Sequence, residues 1–461
     1  MYRKQIHIHF VGIGGIGMSG IAKILRYQGY TVSGCDADSD QQSVKDLEKL
    51  GCTIVEGNNG AYCQSAAIDI LVYSSAIQAT DLEIIAAQQR NIPTISRALM
   101  LAELMRTKFS IAIAGSHGKT TTTSFISHIL IETKKDPTVI IGGCLKTIST
   151  NAQYGSGDFL VAEADESDRS LTHLQATIAV VSNINLEHLD TYRDIDDIKN
   201  TFMQFLENLP FYGTAIVCID NEHVRSLLPL PHIKTIKYGL EVWADIYADT
   251  VELYPDHSVF TVYCKQESLG IIKINMPGRH NVLNALAAIA VALELEISFA
   301  QIQEALATFK GVERRFSYNG LYKGAELFDD YGHHPEEIKN TVIVAAKRKK
   351  NKLTVVFEPH RYTRTDKLWD MFLRTFKELP IDNLLVTDIY AASEQPIPTI
   401  TAARFVQELK ALQPSFTVEY VPFDYEFNVI KNALDSIVMP DDLVLLQGAG
   451  KINKLVAKLI K

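Results

Sequence analysis

The sequence predicts an α/β protein of three consecutive domains: Rossmann-like at the N-terminus, P-loop-type in the centre and Rossmann-like at the C-terminus. Two observations carry this. Three separate stretches open with a short β-branched run that breaks at a glycine or polar turn and passes into a helical pattern, the rhythm of parallel α/β units. The 461 residues leave room for two to four domains, and a composition 47% hydrophobic and 21% charged belongs to a globular chain rather than a disordered one.

The first domain, residues 1–106, starts on the strand Ile6–Val11 and continues through strands at Thr31–Ser33 and Ile70–Tyr73. The second, 107–311, opens at Phe109–Ala114, with strands at Phe159–Ala162, Ile178–Ser182 and Ala215–Cys218. A β-rich insertion around Ile246–Asn275 and an Ala-rich helix Asn281–Leu293 follow. The third, 312–461, holds strands around Leu353–Phe357, Asn383–Thr387 and Asp442–Leu446. The boundaries rest on Ile92-Pro93 with the leucine-rich helix through Met105, and on Lys310-Gly311.

Lys+Arg 45 against Asp+Glu 54 leaves a net charge of -9, which argues against nucleic acid as the main partner. The run Arg348-Lys349-Lys350 lacks interleaved aromatics and reads as a solvated helix end. The six cysteines form no C-x-x-C and no His/Cys cluster, so neither a zinc site nor a disulfide framework is indicated, and a reducing cytoplasm is expected. No apolar run reaches about 18 residues, so no membrane-spanning helix is expected. Arg3 and Lys4 precede an apolar stretch as in a signal peptide, but His7, His9 and the glycines that follow make it a poor one.

Gly12-Ile13-Gly14-Gly15-Ile16-Gly17 follows a strand and opens a helix, with Asp36 about 20 residues further on. Glycines there let backbone N–H groups approach a diphosphate, and the acid can bind a ribose hydroxyl. The pattern serves NAD and a UDP-sugar equally. Gly115-Ser116-His117-Gly118-Lys119-Thr120 stands where a phosphate loop belongs, although the standard loop has glycine at the position of Ile113. In such a loop Lys119 neutralises β/γ oxygens and the Thr120 hydroxyl can ligate Mg²⁺. Glu163, at a strand end beside that loop and leading the acidic run Asp165, Glu166, Asp168, is a second candidate ligand, and His188 a third. Asn281 and Asn284, on one helix face, carry amides that can match adenine, though a helix cap explains Asn281 equally well. Asp329 to Pro335 and Glu358 to Arg364 gather ionisable groups after strands, where open α/β sheets bind ligands. If His360–Asp366 is helical, Arg361 and Arg364 can clamp one carboxylate.

Eight blocks in order, HFVGIGGIGMSGIA at 9–22, GSHGKTTTT at 115–123, EADESD at 163–168, NINLEHLDTY at 183–192, GRHNVLNALAA at 278–288, GVERRF at 311–316, DDYGHHPEEI at 329–338 and PHRYTRT at 359–365, resemble the Mur ligase family over essentially the whole chain. The resemblance implies an ATP- and Mg²⁺-dependent ligase of peptidoglycan precursor synthesis that joins L-alanine to UDP-N-acetylmuramate through an acyl phosphate. It implies catalytic roles for Lys119, His188 and Arg315, and metal ligation by Thr120, Glu163 and His188. ATP falls to Gly115, Ser116, His117, Gly118, Lys119, Thr120, Thr121, Asn281, Asn284, Arg315 and Asp330, with Asp330 on the ribose. Gly12, Gly14, Gly15, Gly17, Asp36, Ser74 and Ser75 then face the UDP-sugar, and His333, His334, His360, Arg361 and Arg364 the amino acid. Ser116, Arg169 and Lys451 depart from the family pattern without removing a proposed catalytic group. Three competing readings remain: a relative that attaches a whole peptide to the same sugar, a dehydrogenase, which leaves the phosphate loop idle, and a nucleotide-driven switch, which leaves the ionisable cluster at 329–364 idle.

Overall fold

The structure, a computed structural model, describes residues 6–57, 59–74, 76–146, 150–392 and 394–460, without the side chain of Cys144. The described residues form three sheets in chain order. The first is parallel and five-stranded, in the spatial order Thr53–Glu56, Thr31–Asp36, His7–Val11, Ile70–Tyr73, Thr94–Ser96. The strand order reverses beside His7–Val11, and the glycine loop leaves the carboxyl end of that strand, where such sheets open a crevice.

The second sheet has ten strands. Its central members Phe109–Ala114, Ile178–Val181 and Thr214–Cys218 are parallel and buried on both faces, which is why they read as continuous apolar runs. The β-rich insertion is an antiparallel meander, Ile246–Leu253, Ser258–Cys264 and Glu267–Ile274, added at one edge. There the burial alternates: Ser258, Phe260 and Val262 point inward, while Val259 and Thr261 are half-buried. The third sheet has six strands, parallel except for the edge hairpin Ser317–Tyr322 with Ala325–Asp330.

The first two domains share one apolar core. A continuous cluster runs from Ile8, Phe10 and Ile21 through Ala152 and Leu160 to Phe202 and Val217. The helix Ile16–Tyr27 makes the join by lying against Thr138–Leu145 and Thr150–Gln153. Gly20 permits the approach, since a Cβ there would stand 3.3 Å from Ala152 Cβ, and the Asn151 amide donates to Ile16 O at 2.6 Å. The third domain differs. The clusters on the two faces of its sheet contain no residue of the first two domains, and it meets them through ion pairs such as Arg361–Asp190 and His117–Glu337. A junction held by polar groups is the one at which domains move.

The basic run at 348–350 corrects an expectation. It ends the helix Pro335–Arg348, but Arg348 forks onto Glu326 with bonds of 2.9 and 2.8 Å and Lys349 meets Asp382 at 2.5 Å; Lys350 alone among these three is largely exposed. Partners remote in sequence turn a solvated end into a tether between helix and sheet. Arg169, which departs from the family pattern, is held the same way by Asp197, with its guanidinium 4.6 Å from the Tyr192 ring centroid. Among the described residues no helix is long and apolar enough to cross a membrane. Cys35, Cys52, Cys63, Cys218 and Cys264 are free thiols.

Candidate active site

The glycine loop is held from behind. Gly12, at φ +77°, donates its N–H to Cys35 O, and Gly14 donates to Asp36 Oδ2 at 2.8 Å. A Cβ on Gly14 would lie 2.9 Å from that same oxygen, so the Asp36 carboxylate excludes any side chain there. Asp36 Oδ1 accepts from the Asp38 N–H and from Gln41 Nε2. With three protein donors on its two oxygens, Asp36 shapes the loop and has one acceptor position left. A Cβ on Gly17 would meet Arg97 Nη1 at 3.0 Å, and Arg97 pairs at 3.0 Å with Asp165, which follows the strand Phe159–Glu163 of the second domain. Gly15 is exposed, and neighbouring Ile16 is half exposed toward the phosphate loop. Ser74 lies beside Gly12 at the end of Ile70–Tyr73, and Ser75 falls outside the described residues.

The phosphate loop joins the strand Phe109–Ala114 to the helix Lys119–Glu132. The glycine missing at 113 is answered at Gly115, with φ +144°, where a Cβ would collide with Ser182 Oγ at 2.0 Å. Gly118, at φ +81°, caps the helix, and a Cβ there would strike Asn284 Oδ1 at 2.4 Å. Asn183, which sequence reasoning left without a role, clamps the loop. Its carbonyl accepts from Ser116 N, its side chain accepts from His117 N at 2.8 Å, and its amide donates to His117 O.

Lys119 Nζ donates to Gly115 O at 2.5 Å and to Glu166 Oε1 at 2.7 Å. Burial pulls its pKa down, but the Glu166 and Asp165 carboxylates outweigh burial and hold it above the ordinary lysine value. Glu163 sits across the cleft, its Oε1 accepting from Gly142 N at 2.8 Å. Burial raises its pKa although Gly142, Lys119, Thr120 and Arg315 all pull the other way. A half-buried carboxylate whose charged form is disfavoured, next to the Thr120 hydroxyl, suits a hard divalent cation. Glu166 Oε2 is buried without a hydrogen-bond partner, and one ligand atom each from Glu166, Glu187 and His188 lie within 4.8 Å of one another. His188 holds φ +54°, a cost for a non-glycine residue of the kind that collects at functional sites. The residues present therefore fit Mg²⁺ at two places, around Thr120 and Glu163 and around His188.

A cleft of about 540 Å³ opens beside the loop and brings together His117, Gly118, Thr121, Asn281, Asn284, Arg315, Asp330 and His334. Asn284 Oδ1 accepts from Thr122 Oγ1, and its amide donates to Asn281 Oδ1. Asp330 lines this cleft as well. Its Oδ1 accepts from Gly332 N, Thr341 Oγ1 and Gln447 Nε2, while its Oδ2 accepts from Phe316 N and keeps an acceptor position for a ligand hydroxyl.

A second cleft of about 430 Å³ is lined by Ile16 from the first domain, by Lys119, Thr120, Glu163, Glu166, Glu187 and His188 from the second, and by Arg315, His333, His360, Arg361 and Arg364 from the third. The two arginines meet there by a route other than one helical turn. The helix spans Tyr362–Lys367, and Arg361 stands before it at φ +68°, because its N–H is still paired with Tyr390 O at 2.8 Å. Arg361 faces Asp190 and Glu394, each at 3.9 Å, while Arg364 Nη1 lies 3.0 Å from His360 Nδ1 and its Nε 4.0 Å from Glu187. Burial pushes His360 down to about 2, so its imidazole is neutral and can accept from Arg364. Burial likewise lowers His334 to about 3 and His333 to about 4. Burial works against the charge on Glu187 as well, yet His117 and His188 hold its pKa down to about 2. Glu166, Glu187 and Glu337 are the carboxylates that motif reading passed over; the first lies in an acidic run, the second beside His188, and the third looks from sequence like a capping residue only.

Family models match the chain in order: "Mur ligase family, catalytic domain" at 7–109, "Mur ligase middle domain" at 113–292 and "Mur ligase, glutamate ligase domain" at 314–450. A protein of Syntrophus aciditrophicus named UDP-N-acetylmuramate--L-alanine ligase is 45% identical over 100% of this chain and 94% of its own length. One of the same name from Geotalea daltonii is 48% identical over 100% and 99%. The crystal structure of UDP-N-acetylmuramate-alanine ligase from Thermotoga maritima superposes with TM-score 0.81 at 26% identity, covering 99% of this chain and 98% of that one. A murein peptide ligase of Psychrobacter arcticus shares the fold at TM-score 0.73 and 23% identity, covering 99% and 98%. Three domain models in sequence order and relatives matched along the full length agree with a cleft lined from three domains: the chain belongs to the Mur ligase family.

Proposed function

We propose that this chain is an ATP-dependent ligase that joins L-alanine to the carboxyl group of UDP-N-acetylmuramate. The observation that carries the reading is the cleft lined from all three domains, with a glycine loop at one end, a phosphate loop in the middle and an arginine and histidine cluster at the other. A carboxylate is a poor electrophile. Transfer of the γ-phosphoryl group of ATP to it releases ADP and makes an acyl phosphate; the alanine amine then forms the C–N bond, sheds a proton and expels phosphate. Negative charge gathers at both steps. Lys119 and Arg315 reach the cleft from different domains, so docking of the third domain assembles the field and excludes the water that would hydrolyse the acyl phosphate. Mg²⁺, held by Thr120 and Glu163 and by His188, would supply Lewis-acid neutralisation of the phosphate oxygens. Arg364, braced by His360, is suited to the alanine carboxylate.

Phosphate release from ATP tests the reading directly. It should require UDP-N-acetylmuramate and be fastest when L-alanine is added. Equal turnover without the sugar nucleotide would identify a plain ATPase, and preference for a tripeptide would identify a peptide-adding ligase. The amino-acid end has its own test in Arg364→Lys, which keeps the charge and loses the fork. The alanine KM should rise about 10-fold, more than kcat falls, with the KM values of ATP and the sugar nucleotide nearly unchanged. An unaltered alanine KM would move the carboxylate site to Arg361.

A further inference from the structure

One convergence at the edge of the ligase cleft, which shares Glu187 with the Glu166–Glu187–His188 group, takes no part in the chemical steps above. His117 in the phosphate loop, Glu187 after the strand Ile178–Val181, and His334 at the start of the helix Pro335–Arg348 come from both sides of the junction between the second and third domains. One ligand atom of each lies within 4.8 Å of the other two. The imidazole rings of His117 and His334 are 4.7 Å apart, and Nε2 of each is buried without a hydrogen-bond partner. Neither histidine belongs to a local metal-ligand spacing, so sequence pattern alone does not point here.

We propose that His117, Glu187 and His334 form a binding site for a divalent transition-metal cation of the zinc and cobalt class, which locks the third domain onto the second. Two imidazoles with one carboxylate favour such cations over Mg²⁺, which prefers an all-oxygen shell. Three protein ligands leave the fourth position open, and His117 and His334 line the 540 Å³ cleft through which an ion enters. The outer shell is also built. Glu337 Oε1 lies 3.2 Å from His117 Nδ1, near enough that a small ring rotation makes the carboxylate–histidine bond that would hold the proton on Nδ1 and leave the Nε2 lone pair for the metal. Binding through His334 Nε2 places that ring's proton on Nδ1 and gives up one long bond, 3.3 Å, in which Nδ1 accepts from Glu336 N. Because the ligands straddle the polar junction, the cation holds the domains together. It should raise the melting temperature and slow turnover, which needs the domains to part.

The test uses Co²⁺ alone with the full chain, free of nucleotide and Mg²⁺, so it stands apart from the ligase reading. Titration should give a saturable visible spectrum of low-coordinate Co²⁺ at one ion per chain, displaced by Zn²⁺ and not by Mg²⁺. His334→Asn keeps a helix-capping side chain and removes the ligand; it should weaken Co²⁺ binding by at least about 100-fold, since even outer-shell changes cost 10–100-fold. His188→Gln, which breaks only the neighbouring Glu166–Glu187–His188 group, should leave the spectrum unchanged. X-ray absorption of the Co²⁺-loaded unmutated chain needs no variant and should count two imidazole ligands. A spectrum lost in His188→Gln but kept in His334→Asn, an imidazole count below two, or no saturable uptake would each overturn the proposal.

Discussion

Lys119→Ala should lower ATP-driven phosphate release by at least about 10²-fold, because one preorganised charge aimed at a developing anion is typically worth 10²–10³ in rate. The structure adds a second consequence. Lys119 bonds Glu166 at 2.7 Å, and Glu166 is only 2% exposed, so the substitution leaves a buried carboxylate with His188, at 3.6 Å, as its remaining cationic neighbour. Breaking a buried pair from one side costs about 3–5 kcal/mol, and the melting temperature should fall with the activity. The two effects separate in the double variant Lys119→Ala, Glu166→Gln: removing the stranded charge should restore much of the melting temperature while phosphate release stays low. Turnover that recovers along with stability would show that Lys119 serves folding alone.

For Glu163 the two effects have opposite signs. Glu163→Gln keeps the shape and the acceptor for Gly142 N but removes the charge. A carboxyl whose folded pKa is raised is destabilising when ionised, and that cost is absent below the unfolded pKa and grows as pH rises through the folded one. Without metal, the Glu163→Gln variant should therefore melt at a higher temperature than the parent chain at pH 7, with the difference vanishing in acid. Activity should move the other way, down by at least about 10²-fold with a raised Mg²⁺ requirement, because the charge that burdens the empty fold is the one that holds the ion. A variant that is both less stable and normally active would remove Glu163 from the metal site.

Much of this was legible in the chain itself. Strands buried on both faces read as apolar runs, and Phe109–Ala114 and Leu353–Phe357 appear as anticipated because a continuous apolar run that ends in turn residues is visible within a few neighbouring positions. Both loops were legible too, since a strand-to-helix turn with glycine at positive φ is written in neighbouring residues. The resemblance grouped Asn281, Asn284 and Arg315, and the three line one cleft.

What the chain alone determined is thus local: the strand, turn and helix punctuation, the glycine turns, and the residue types brought to each strand end. Tertiary structure alone decided which charged groups are free and which are spent. Asp330 Oδ1 is held by Gln447, 117 residues away, and Lys119 is tied to Glu166, 47 residues away. Arg361 stays out of the helix because Tyr390 still holds its backbone, and His117 meets His334 only where two domains dock. The physical reason is range. Backbone conformation and hydrophobic periodicity are set within a few residues, whereas the availability of a carboxylate or an imidazole depends on every donor, charge and apolar surface within a few ångströms in space.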